Sequence, residues 1–173
     1  REGPVEFFVI DSNAIVLDDY RPSAEQRAWL DHAMATSDAR WKIVLGHHGY
    51  VSNGDHGNAG SYDGFGGVPF FERFNGKHFK EFVESSVCGK AQIYFAGHDH
   101  HREWLEPACG TNFIISGAAA KLRDIVARED GAPTRWNDAT KLGFMWVEIA
   151  GDTMTGVFYD ENGAIDYEDV IVR

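Results

Sequence analysis

The stretch GHDHH, residues 97 to 101, places three histidines and an aspartate directly behind the apolar run AQIYFA, residues 91 to 96. On an extended backbone side chains alternate between faces, so His98 and His100 are expected to point to one side of a strand end. Two imidazoles on one side can reach one metal ion. A second pair, His47 and His48, follows the apolar run KIVLG, residues 42 to 46, and His56 lies nine residues beyond His47. Six of the eight histidines therefore fall in two stretches, His101 among them. Neutral imidazole suits zinc, iron, manganese and related ions, and the other ring nitrogen of a ligating histidine is usually held by a carboxylate or carbonyl, a role open to Asp99 and Asp55. His48 and His101, as strand neighbours of the candidate ligands, are expected to face away. His32 and His78 fall on predicted helices, outside the site.

Outward from these clusters, the chain alternates strand and helix. VEFFVI, residues 5 to 10, reads as a buried strand that ends in the polar Asp11-Ser12-Asn13. Ser23 and Gln26 have the spacing of a capping box, and Trp29, Leu30, Ala33 and Met34 supply an apolar face, which predicts a helix from about 24 to 36. KIVLG is the second strand. A Gly-rich stretch runs to about residue 76, Phe79, Phe82 and Val83 mark a second helix, and AQIYFA is the third strand. That order predicts a parallel α/β sheet, whose ligand sites lie beyond the carboxyl ends of the strands, where both histidine clusters fall. Beyond residue 111, TNFIISG, GFMWVEIA, MTGVFYD and DVIVR are strand-like runs separated by Gly-Asp and Asn-Gly turns. They predict closing antiparallel hairpins and hence a mixed sheet.

Composition limits the function classes. At 173 residues, 43% apolar and 25% charged, the chain is long enough for one packed domain and carries no signature of disorder. A net charge of -11 repels polyanions, which excludes nucleic acid as a partner and requires a local cation for any anionic substrate. No apolar run approaches the roughly 20 residues needed to cross a bilayer, so no membrane partner is expected. The sequence opens REGPVEFF, without an initiator Met or a signal-peptide core, and its true start is expected elsewhere. Cys88 and Cys109 bracket the GHDHH strand. They could close a loop worth about 3 kcal/mol in an exported protein, or remain two buried thiols, since spacing alone does not fix geometry. In the Gly-rich loop, residues 53 to 67, Tyr62 or Phe65 could stack on an aromatic group of a substrate, or the loop could simply connect strand to helix. No GxxxxGK(S/T) phosphate cradle is present.

GHHG after KIVL and GHDH after QIYFA, about fifty residues apart, resemble the last two signature motifs of the calcineurin-like metallophosphoesterases. FFVIDSN, EQRAWLDHAM and VSNGDHG after GHHGY further resemble the small purple, or tartrate-resistant, acid phosphatases. The resemblance spans most of residues 5 to 123. It implies a mixed-sheet αββα sandwich and hydrolysis of small phosphate monoesters by a metal-bound hydroxide at two divalent or trivalent ions, iron with iron, zinc or manganese. Carried over by position, His47 and His98 match ligands of one ion and His100 a ligand of the other. His56 matches a histidine beside the substrate that assists the leaving group, and Gly49 stands where many relatives carry Pro.

The DxH, GDxx(Y) and GNH(D/E) motifs of such enzymes, which supply a bridging aspartate, an asparagine ligand and a catalytic histidine from an N-terminal half, do not occur ahead of GHHG in this sequence. Three histidines without a bridging carboxylate cannot hold two ions about 3.5 to 4 Å apart. Residues 1 to 173 are therefore expected to form the C-terminal part of one metallophosphoesterase domain, inactive as an isolated half, with the N-terminal half as a companion chain and an exported location, periplasmic or secreted. A phosphodiesterase or nucleotide hydrolase of the same fold, and a non-catalytic metal-binding fragment, are the alternatives.

Overall fold

The structure, a computed structural model, describes residues 1–17, 20–62 and 76–173, with residues 20–22 described by backbone alone. In chain order the elements are β1 (Val5–Val9), α1 (Ser12–Val16), α2 (Tyr20–Thr36), β2 (Trp41–Leu45), α3 (Lys77–Ser86), β3 (Ile93–Ala96), β4 (Arg102–Leu105), β5 (Asn112–Ser116), β6 (Thr134–Asp138), β7 (Gly143–Ala150), β8 (Thr153–Asp160) and β9 (Ile165–Val172). A six-stranded sheet has the order β1-β2-β3-β5-β4-β6, and a separate antiparallel sheet has the order β7-β8-β9. Strands β1, β2, β3 and β5 are parallel; β4 runs against them, and β6, antiparallel to β4, points the same way as the parallel set. The mixed sheet expected from the sequence is thus present. TNFIISG departs from its expected place: as β5 it continues the parallel run beside β3.

Strand alternation gives the large sheet two apolar faces. Phe8, Val44, Tyr94, Phe113 and Ile115 pack under the helices against Ile15, Leu30, Phe79, Phe82 and Val83. On the other face Val5, Trp41, Ile43, Ile93, Trp104 and Ile114 pack against Met154, Phe158 and Ile171 of the small sheet. The described residues thereby supply three layers, helices, mixed sheet and antiparallel sheet. The expected capping box is not formed. Helix α2 already begins at Tyr20, and the Gln26 amide instead exchanges two hydrogen bonds with the Asp11 backbone, 2.8 and 3.1 Å, which seats α2 on the loop after β1. Asp11 caps α1 through its side chain, accepting from Ala14 N–H at 3.1 Å.

Cys88 and Cys109 are disulfide-bonded, with Cα atoms 5.3 Å apart, so the end of α3 is tied to the β4–β5 turn. The described helices include none long and apolar enough to cross a membrane.

Strand β4, REWL, is fully buried although half of it is charged. Arg102 reaches between the sheets: it donates to the Tyr159 carbonyl at 3.0 Å, to Asp138 at 2.6 Å and to Asp166 at 2.8 Å, and its guanidinium lies 5.4 Å from the Trp136 ring centre. Four strands, β4, β6, β8 and β9, meet at this one cation. Replacing it with a neutral side chain strands two carboxylates at a sheet interface. Arg102→Ala is expected to lower unfolding free energy by about 3 to 5 kcal/mol in urea titrations. The Asp166 carboxyl is held below its usual pKa by Lys141 and Arg102. Asp138 is also lowered, since Thr140 and Arg102 outweigh the opposing effect of its burial. Their contribution is therefore present above the unfolded aspartate value, about 3.9, and fades as pH falls through the lower folded values. The variant should show a shallower acid limb; an unchanged one would contradict the assignment.

Candidate metal centre

The sheet order makes β2 and β3 parallel neighbours, so their carboxyl ends stand side by side. Gly46 N–H donates to the Phe95 carbonyl and Gly97 N–H to the His47 carbonyl, both at 3.1 Å, which prolongs the ladder past the strands. His47 and His98 are thereby opposed. His98 Nδ1 lies 3.0 Å from His47 Nε2. Two nitrogens each about 2.1 Å from one ion, at roughly a right angle, would be about 3.0 Å apart, so this separation fits two cis ligands of a single ion. Burial first, then the neighbouring imidazoles His48, His56, His47 and His100, push the His98 pKa down to about 3. The ring stays neutral with a lone pair to offer.

GHDHH reaches this arrangement by a different route from the one expected. β3 ends at Ala96, and residues 97 to 101 form a bend rather than an extended strand, with His98 in the left-handed region at φ 65°. His98 turns toward His47, whereas His100 does not join the His47, His48 and His98 donor group. The His100 Nδ1 atom is buried without a hydrogen-bond partner. A buried ring nitrogen in that condition is suited to a ligand.

His48 donor atoms lie within 4.8 Å of those of His47 and His98. Its Nδ1 is 2.9 Å from Ser12 Oγ, which also accepts the backbone N–H groups of His47 and His48, both at 3.1 Å. Those two bonds use both hydroxyl lone pairs, so the Ser12 proton goes to Nδ1 and the His48 proton sits on Nε2. In that tautomer His48 has no lone pair for an ion and braces the loop instead. In the sequence Ser12 is marked only as part of a polar loop. The signal for it was the position of Asp11-Ser12-Asn13 at the carboxyl end of a strand beside β2.

A second group comprises Asp55, His56 and Asp99. The His56 ring stacks on His98, centroids 4.2 Å apart, and its Nε2 lies 3.8 Å from Asp55 Oδ1. Asp99 is buried, accepts His56 N–H at Oδ1, 3.1 Å, and accepts the Ser52 hydroxyl at Oδ2. Asp55 lies lower than its usual pKa because Arg123, His56 and Asp99 outweigh its burial. Tyr62 is buried with its ring stacked on His48, centroids 6.0 Å apart, and its hydroxyl donates to the Gly49 carbonyl. Phe65 lies outside the described residues.

His101 faces away from the donor group, and there it has a task of its own. Its Nε2 is 2.9 Å from Glu103 Oε2, both side chains fully buried. Glu103 also accepts Asn53 N–H at 3.1 Å and Asn53 Nδ2 at 2.6 Å, binding the loop that carries His56 to the GHDHH bend. His47→Ala and His98→Ala should each weaken binding of zinc by about 100-fold or more in competition titrations, with little loss of stability. His101→Ala should do the reverse, lowering stability by about 1 to 3 kcal/mol because buried Glu103 keeps only its Asn53 partners. Equal metal loss from all three would contradict the placement of the ligands.

No protein-family profile matches the chain. It is 29% identical over 140 residues to purple acid phosphatase 3 of Arabidopsis thaliana, covering 79% of this chain and 33% of that protein. It is 26% identical over 187 residues to purple acid phosphatase 7 of the same plant, covering 94% and 50%. To tartrate-resistant acid phosphatase type 5 of Mus musculus it is 22% identical over 144 residues, covering 80% and 39%. Among solved structures, GAP50, the anchor in the inner membrane complex of Plasmodium, superposes with a TM-score of 0.71 at 15% identity, covering 97% of this chain and 49% of that one. PhoD superposes with a TM-score of 0.50 at 10% identity, covering 86% and 31%. The chain is thus similar in sequence to the purple acid phosphatases and has the calcineurin-like phosphoesterase fold. It spans about a third to a half of the length of the curated relatives it matches.

Proposed function

We propose that residues 1 to 173 form the C-terminal part of a metallophosphoesterase domain that, completed by its N-terminal half, hydrolyses small phosphate monoesters as an acid phosphatase. The observation that carries this reading is the convergence of the His47 and His98 nitrogens at 3.0 Å beyond two parallel strands, with His56 stacked on His98. His47 and His98 would hold one ion, and His100 would hold a second together with a bridging carboxylate from the N-terminal half. Iron with iron, zinc or manganese suits such a set of imidazoles and carboxylates. Bound there, the ions supply charge neutralisation at the phosphoryl oxygens and a water of lowered pKa.

The remaining chemistry belongs to the side chains of this chain. His56 is fixed through its backbone on Asp99 and through its ring on His98, and its Nε2 lies 3.8 Å from Asp55 Oδ1. The ring is placed to give a proton to the departing oxygen, while Asp99 and Ser52 keep the loop in register. The Cys88–Cys109 disulfide supports an exported location.

Incompleteness is supported by the surface. A cavity of about 580 Å³ opens between the sheets, lined by Val5, Phe7, Leu45 and Phe95 on one side and by Met145 and Val147 on the other. Phe7 is 47% and Val9 66% exposed, and on the outer side of β7 Phe144 is 53% and Trp146 45% exposed. β1 and β7 are both sheet edges next to this cavity. Strands added along β7 would cover Phe7 and Val9, and helices over them would cover Phe144 and Trp146. The chain alone should bind a hydrophobic dye that the N-terminal half displaces; a monomer that binds none would contradict this.

In the complete enzyme, His56→Ala should keep full metal occupancy and lower turnover of alkyl phosphates by about 10²-fold or more, with a smaller loss for activated aryl phosphates. Equal small effects on both substrates would remove the proton-donor role. Metal loss would make His56 a ligand, and no turnover by the wild-type complete protein would favour a metal-binding fragment.

A further inference from the structure

The connection between β5 and β6 crosses the site and is fastened to both histidine loops. Arg123 N–H donates to the His100 carbonyl at 3.0 Å, Val126 N–H donates to the Asn53 carbonyl at 2.9 Å, and Ile125 forms a bridge with Gly54. The Arg128 side chain donates to the Asp55 carbonyl. This strap carries positive charge to the edge of the centre. The Arg123 guanidinium pairs with Asp55 Oδ2 at 2.6 Å, on the carboxylate whose other oxygen faces His56 Nε2 at 3.8 Å.

Three further observations fit a ligand at this rim. The Arg123 side chain remains 47% exposed, and one Nη serves Asp55, which leaves guanidinium donors for an oxyanion. Lys121 is exposed two residues away. The chain carries a net charge of -11, so an anionic ligand approaching the histidines needs such local cations.

We propose that Arg123 and Lys121 form an anion subsite on the rim of the histidine centre, selecting phosphate compounds that carry a second anionic group, such as a pyrophosphate linkage, over simple monoesters. The inference rests on the phosphoesterase reading for the first phosphate and adds a substrate class to it. When one phosphoryl group occupies the histidine centre, its neighbour lies toward the strap, where the guanidinium fork offers paired donors and Lys121 a point charge.

Calorimetric titration of the metal-loaded full protein with methylphosphonate and with methylenediphosphonate tests the subsite without turnover, and chelation of free metal cancels when proteins are compared. The wild type should bind the diphosphonate about tenfold or more tightly than the monophosphonate. Arg123→Gln and Lys121→Gln should each cut that ratio by about threefold, and the double variant should bring it close to unity. Lys121→Gln alters only an exposed side chain and keeps the test decisive if Arg123→Gln misfolds. An unchanged ratio, or equal weakening of both ligands, would overturn the proposal, the latter by reducing Arg123 to a brace for Asp55. Retention of the ratio in a complete protein that fails to hydrolyse an aryl phosphate would uphold the subsite while removing the phosphatase reading.

Discussion

The hydrogen bond from Gly97 N–H to the His47 carbonyl, 3.1 Å, is the contact on which the centre depends. It carries the pairing of β2 and β3 past the last residues of both strands, and it fixes the starting points of two loops that would otherwise diverge. From there His47 and His98 can only meet. Two close backbone approaches protect this geometry. A Cβ on Gly117 would lie 1.9 Å from the Asp99 carbonyl oxygen, and one on Gly46 would lie 2.0 Å from the Tyr94 hydroxyl. Glycine at 117 lets the start of the strap lie against the GHDHH bend, and glycine at 46 admits the hydroxyl that donates to the His48 carbonyl at 2.8 Å. Ser12 completes the frame from the β1 side by accepting two backbone N–H groups of the second histidine loop.

Much of this was legible in the sequence because it followed from short apolar runs with polar ends. VEFFVI, KIVLG and AQIYFA are the three strands expected, Phe79, Phe82 and Val83 mark the buried side of α3, and the glycine turns set the hairpins β7–β8 and β8–β9. What escaped has physical causes. REWL looks too charged for a central strand, because the carboxylates that neutralise Arg102, Asp138 and Asp166, are distant in sequence, as is Asn53, which hydrogen-bonds to Glu103. TNFIISG has no local feature that separates a parallel from an antiparallel neighbour. The pleat of a strand puts His98 and His100 on one side, whereas a bend with a left-handed residue aims His98 at His47 and leaves His100 outside that donor group. Ser12 and the strap from β5 to β6 carry no motif at all; only the sheet order brings them to the centre.

Electrostatics divides the molecule into two regimes. Between the sheets, Arg102 gathers carboxylates from different strands, and its work is cohesion. At the strand ends, imidazoles crowd together with burial and mutual repulsion depressing His48 to about 4 and His98 to about 3. His48, its Nδ1 held by Ser12, braces this cluster, while neutral His98 keeps a lone pair that a metal ion can take. The crowding therefore makes physical sense as a ligand set.

The most direct test is an anomalous-scattering map from crystals of the protein grown with zinc or manganese. A peak bonded to ring nitrogens of both His47 and His98 is the predicted result. A peak elsewhere with those two rings still hydrogen-bonded to each other, or no peak at saturating metal, would contradict the claim that the two strand-end loops build a metal centre.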